Sequence, residues 1–230
     1  MVNSCAKRII PLVILLLAGS TTLAVAGIVY NATDQFDASS NPTSSGWSYG
    51  WKATPTGGFN VFSNSCWECY DKGYYGWNTG STYPEVNRSP SGLEFDPSSV
   101  ADLAGVRWTS SVSGWASLSS TFQGYWGGVE GLYTSAGGYV LFNTALLYEG
   151  DIYSHGSVGY NGSFAVSPGD TIDFLVGKNS KDVMEFGRTI ATARIEITSI
   201  PEPATLVMLG PLLVLMGLRR IRIRRFCGII

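Results

Sequence analysis

Along residues 190–198, Ala191, Ala193, Ile195 and Ile197 fall on one side of an extended chain, and Arg194 and Glu196 on the other. The same period of two runs through residues 171–176, where Ile172, Phe174 and Val176 share a side and Asp173 faces away. Side chains alternate across a strand, so this period buries one face and leaves the other polar. An amphipathic helix needs apolar positions three and four residues apart, a pattern not found here.

Other short runs have the same character. Trp47-Ser48-Tyr49-Gly50-Trp51 alternates aromatic residues, and Pro55-Thr56-Gly57-Gly58 turns the chain into Phe59-Asn60-Val61-Phe62, predicting a hairpin. Strands are also predicted over residues 105–112 and 115–123, either side of Ser113-Gly114, and over 161–166, ahead of the turn Ser167-Pro168-Gly169-Asp170. Residues 138–148 read as one strand with Val140, Phe142, Thr144, Leu146 and Tyr148 on one face, whereas residues 66–90 read as loop. Many short strands without intervening helices predict an all-β fold, an antiparallel β-sandwich of jelly-roll type. Trp108 and Trp115 are expected in its core.

The two ends have a different composition. Lys7 and Arg8 precede an apolar run over residues 9–18, and Ala24-Val25-Ala26 follows. That order predicts a signal peptide over residues 1–26, with its helix too short for a comfortable span and cleavage after Ala26. Residues 204–218 are apolar throughout and precede Arg219, Arg220, Arg222, Arg224 and Arg225. This predicts a C-terminal hydrophobic helix that enters the membrane with its arginines on the cytoplasmic side. Residues 27–199 remain as the mature domain, with 200–230 as the tail.

Within the mature domain eight Lys or Arg stand against sixteen Asp or Glu. Such an acidic surface argues against nucleic acid, which demands a basic patch. Cys66, Cys69 and His155 are its only cysteines and histidine, too few for a convincing zinc site, so no metal site is assigned. Calcium, which takes oxygen ligands, stays open through Asp170 and Asp173, although no calcium-loop spacing surrounds them. Cys66-Trp67-Glu68-Cys69 lacks the helix start that a redox CxxC requires, and a local disulfide is expected in an oxidising compartment.

Between the last strand and the apolar tail lies Ile200-Pro201-Glu202-Pro203-Ala204. The two prolines hold Glu202 in extended chain just outside the membrane, open to a processing enzyme. With the apolar run and arginines behind it, this end resembles the PEP-CTERM sorting signal of exported bacterial proteins. The resemblance implies recognition by an exosortase, processing near Pro201, Glu202 and Pro203, transient residence in the inner membrane, and release to the cell surface or matrix. Residues 226–230 extend beyond the usual arginine end. The mature domain more faintly resembles galactose-binding-like and carbohydrate-binding-module β-sandwiches, through Trp47–Trp51, Gly105-Val106-Arg107-Trp108 and Gly169-Asp170-Thr171-Ile172-Asp173-Phe174.

All seven Trp and all twelve Tyr fall within residues 27–199. Flat aromatic side chains stack on the apolar faces of sugar rings, and loops are where binding residues gather. Trp67, Tyr70, Tyr74, Tyr75 and Trp77, with Trp126, are therefore the candidate ligand-binding residues, with exopolysaccharide as the expected partner. No catalytic residue is assigned. A glycan hydrolase is the alternative and would need two acids across a cleft, with Glu130, Glu149 and Asp151 as candidates. A structural matrix protein with aromatic protein contacts is the other alternative.

Overall fold

A computed structural model describes residues 27–67, 75–80, 83–97, 102–125, 134–181, 183 and 188–198. The predicted signal and tail helices lie outside the described residues. Within them two antiparallel sheets form a β-sandwich. One contains β1 (Ile28–Asn31), β4 (Asn64–Trp67), β5 (Tyr75–Asn78), β6 (Glu85–Ser89), β7 (Gly92–Asp96), β9 (Gly114–Gly124), β12 (Ser157–Val166) and β14 (Thr189–Thr198). Its order is β12-β9-β14-β7-β6-β5-β4, and β1 pairs with β14. The other contains β2 (Trp47–Lys52), β3 (Asn60–Val61), β8 (Leu103–Thr109), β10 (Ser135–Phe142), β11 (Ala145–Tyr153) and β13 (Thr171–Gly177), ordered β11-β10-β13-β8-β2-β3.

The inward sides of both sheets meet in one aromatic layer. Trp47, Trp108 and Phe174 come from the second sheet, and Val86, Phe95, Phe122, Ile195 and Ile197 from the first, all fully buried. Trp47 and Phe174 lie 6.1 Å apart centre to centre, and Tyr30 closes on Trp108 at 4.9 Å, both in the tilted geometry that aromatic pairs favour. β14 follows its pattern closely: Ala191, Ala193, Ile195 and Ile197 face inward, while Arg194 and Glu196 pair on the outside.

Three expectations need correction. Residues 66–90 are not one loop, because β5, β6 and the end of β4 occupy part of that stretch. Residues 138–148 are not one strand: β10 and β11 form a hairpin turning at Asn143, whose φ of 50° suits the short polar side chain of asparagine. Trp115 is not in the core, since it lies 51% exposed on the outward side of β9. Asp173 faces away from the core as its parity predicts, and is only 2% exposed.

Asp173 is buried because two cations accompany it. Arg107 Nε and Nη2 donate to its two carboxylate oxygens at 2.6 and 2.9 Å, and Lys52 Nζ lies 2.8 Å from Oδ2. Lys52, fully buried, also donates to the carbonyl of Pro55 at 2.8 Å. The Arg107 guanidinium rests over the Phe59 ring, 4.6 Å from its centre. A buried charge is tolerable only when paired and hydrogen-bonded, and this cluster meets both conditions.

Removing one member should strand the others. Asp173→Ala should lower unfolding free energy by about 3–5 kcal/mol, the cost of an orphaned buried charge. Arg194→Ala, which breaks only an exposed pair, should cost under about 1 kcal/mol. Urea unfolding of the two variants checks the contrast.

Candidate functional site

The outward side of β12, β9 and β14 is a ladder of hydroxyl and amide side chains. Their registers set Ala165, Trp115 and Thr198 in one row, then Ser163, Ser117 and Glu196. Asn161, Ser119 and Arg194 form the third row, and Gly159, Thr121 and Thr192 the fourth. The strict alternation of β9 creates this face, because Ala116, Leu118 and Phe122 claim the inward side and leave every odd-numbered residue outside. An open groove of about 460 Å³ runs along it, lined by Ser117, Ser119, Asn161, Ser163 and Arg194.

The side chains are held by modest contacts. The Ser117 and Ser163 hydroxyls lie 3.3 Å apart, and those of Thr121 and Thr192 2.7 Å apart. Arg194 Nη2 donates to Glu196 Oε2 at 3.0 Å, with both side chains largely exposed. Hydroxyls donate and accept, the Asn161 amide does both, and the guanidinium donates only. The exposed indole in the first row gives a ligand one flat apolar surface on the same face as these hydrogen-bonding groups.

The residues singled out from sequence are distributed otherwise. Tyr75 stands on β5, 49% exposed, on a strand remote from β9 in the sheet order. Trp77, two residues on, is 6% exposed, and its indole N–H donates to the Asp37 carbonyl at 2.9 Å. A buried, bonded indole has no face to offer, so Trp77 leaves the candidate set. Trp67 belongs to the backbone of β4, while Tyr70, Tyr74 and Trp126 lie outside the described residues. Cys66 is disulfide-bonded, and its expected partner Cys69 lies outside the described residues. Pro201, Glu202, Pro203 and the five arginines also lie outside them.

The acids have other roles. Asp170 accepts from the Ser167 amide at 2.8 Å and from Asn143 Nδ2 at 2.9 Å, closing the turn before β13. With Asp173 held by Lys52 and Arg107, the two carboxylates named for calcium serve a turn and a charge cluster. No group of three or more His, Cys, Asp or Glu suited to a metal occurs among the described residues. Glu149 and Asp151 lie two apart on β11, hence on one side of one strand. Glu149 borders a separate depression of about 330 Å³ with Tyr139, Lys178 and Asn179. Asp151 accepts from the Ser180 hydroxyl and amide at 2.6 and 2.8 Å, and from the Tyr153 hydroxyl at 3.1 Å. Glu130 lies outside the described residues, and His155 is exposed in the turn between β11 and β12.

The sequence reading missed Trp115, Ser117, Ser119, Asn161, Ser163 and Arg194 as a set. The signal was present: Trp115 shares its parity with Ser117, Ser119, Thr121 and Gln123, which marks the wet side of the strand.

No family model matches this chain, and no curated protein matches it. Solved structures similar to it include the CBM22-1 xylan-binding domain from Paenibacillus barcinonensis Xyn10C, at 9% identity over 77% of this chain and 99% of that one, with a TM-score of 0.35. A family 35 carbohydrate binding module from Clostridium thermocellum matches at 10% identity over 74% and 90%, with a TM-score of 0.27. The Agl-KA catalytic domain matches at 13% identity over 77% of this chain but 28% of its own, with a TM-score of 0.30. Overlaps this loose say nothing of a ligand here.

The bonds from Ser180 pull the Asp151 carboxyl below its usual value of 3.8, helped by the Tyr153 hydroxyl and Lys181. A depressed carboxylate keeps its contacts above 3.8 and loses them as pH falls through the lowered value. A carboxyl-carbon NMR titration should place the Asp151 midpoint below 3.8, and Ser180→Ala should move it upward.

Proposed function

We propose that the β-sandwich is a non-catalytic glycan-binding domain of an exported surface or matrix protein, and that it holds exopolysaccharide on the outward face of β12, β9 and β14. The observation that carries this reading is Trp115, an exposed indole on the same strand face as Ser117 and Ser119, which line a groove together with Asn161, Ser163 and Arg194. An indole half exposed on a polar strand face offers a flat apolar surface on which a sugar ring can stack. The neighbouring donors and acceptors match sugar hydroxyls without adding net charge, because Arg194 and Glu196 offset one another.

The face holds one carboxylate, Glu196, where a glycan hydrolase needs two acids facing across the substrate. Binding without cleavage is therefore the reading its chemistry favours. Export and sorting rest on the sequence ends: the signal peptide brings the domain out, and the Pro201-Glu202-Pro203 segment with its arginine-flanked tail presents it to an exosortase.

Trp115→Ala should weaken retention on the producer's exopolysaccharide by about tenfold or more, as for an aromatic anchor. Its unfolding free energy should change by less than about 0.5 kcal/mol, since the site is on the surface. Affinity electrophoresis or calorimetry with that polysaccharide, with calcium and then with chelator, reads the first quantity. Unchanged retention would remove this face from consideration. Sorting is tested separately by the intact mass of protein recovered from the matrix. The expected chain begins after Ala26 and ends near Pro201–Pro203, and Glu202→Ala should leave the tail attached.

A further inference from the structure

Both sheets end on the same side of the sandwich, with β12 the last strand of one and β11 of the other. Among the described residues β12 pairs only with β9, so one side of its ten-residue backbone carries no strand partner. Natural edge strands are guarded by lysines, prolines, bulges or brevity. The sequence SVGYNGSFAV contains no charge and no proline, and all ten residues pair with β9 without a register shift.

A second observation concerns the seam between the two edges. Tyr148 and Tyr160 meet there at 5.9 Å, and Phe142 and Phe164 at 4.6 Å, all only partly buried. The two acids of β11 do not interrupt this seam. Glu149 borders the depression on the outer side of its sheet, and Asp151 is tied to Ser180. On a strongly acidic domain, an uncharged edge beside an apolar seam is where two copies can approach without repulsion.

We infer that β12 pairs antiparallel with β12 of a second copy about a two-fold axis, joining the two β12-containing sheets into one. The strand complements itself in a register that keeps inward residues opposite inward ones, as a shared core side requires. With Gly162 on the axis, Tyr160 stands opposite Phe164 of the second copy, and Asn161 opposite its Ser163. Each contact occurs twice, giving two aromatic cross-strand pairs on the apolar side and two polar pairs on the wet side.

The full chain in mild detergent should sediment as a monomer and dimer in equilibrium. Asn161→Lys with Ser163→Lys sets like charges opposite one another twice, and should weaken the dimer by about tenfold. Asn161→Glu with Ser163→Glu should do the same alone. Mixing the two variants should restore a mixed dimer, which a merely unfolded or non-specifically repelled chain would not form. Gln123→Lys, on the same outward face but on β9, should leave association unchanged. A wild-type chain that stays monomeric at all concentrations overturns the inference. So does association that ignores both double variants, as contact through the tails would, or a mixture that does not re-pair. Asn161 and Ser163 also line the groove proposed for glycan, but the sedimentation experiment contains no glycan. Failure of one reading therefore leaves the other standing.

Discussion

The Asp173 carboxylate holds three strands in register at once. Its own strand, β13, lies between β10 and β8, and its two oxygens take Arg107 from β8 and Lys52 from β2. On the opposite side of the same segment Ile172, Phe174 and Val176 fill the core. A one-residue slip would drive Asp173 into that core and expose Phe174, so the two faces enforce the same alignment. The effect continues outward, because Lys52 also grips the Pro55 carbonyl and Arg107 carries Phe59. The β2–β3 connection is thereby drawn over the outer side of its own sheet, and Phe59 packs with Leu103, Tyr139, Leu141 and Leu175.

That covering decides where a ligand face can lie. Over β8, β13 and β10 the outer side of the β2-containing sheet is taken up by this packing. On the other sheet, the outward residues of β6 and β7, among them Glu85, Asn87 and Glu94, are buried as well. What stays open is the far end of that sheet, where β12, β9 and β14 present Ser, Thr, Asn and one Trp. Location thus follows from packing elsewhere, and the chemistry of the face follows from the alternation of β9.

The sequence disclosed most where one face was uniformly apolar. β13 and β14 were legible because Ile, Phe, Val and Ala recur every second residue and buried positions tolerate little else. Short strands with glycine and asparagine carry no such contrast. β5 reads Tyr-Gly-Trp-Asn and is buried for three of its four residues, so alternation could not announce it. The β10–β11 hairpin was hidden because its turn, Asn143-Thr144, contains neither Gly nor Pro, and because a register shift after Val140 disturbs the parity. Trp115 was misplaced by residue type: tryptophan suggests a core, but its parity places it with serines. Asp173 was placed on the correct side, yet its burial depended on Lys52, far off in sequence, which no local pattern reveals.

The face proposed for glycan and the unguarded edge share a strand, and this has a consequence for binding strength. β12 supplies Asn161 and Ser163 to the groove and, among the described residues, a backbone side without a strand partner to the edge. Pairing two copies through that edge would set two such faces side by side on one continuous sheet. A polymer with repeating sugars engages a second equivalent site at high effective concentration once the first is filled. A shallow, open groove with one exposed indole makes a weak individual contact, so retention in a matrix would depend more on pairing than on refinement of either groove. The same geometry explains why charge is absent from β12 although the domain as a whole is strongly acidic. A carboxylate there would be opposed by its own copy across the two-fold axis.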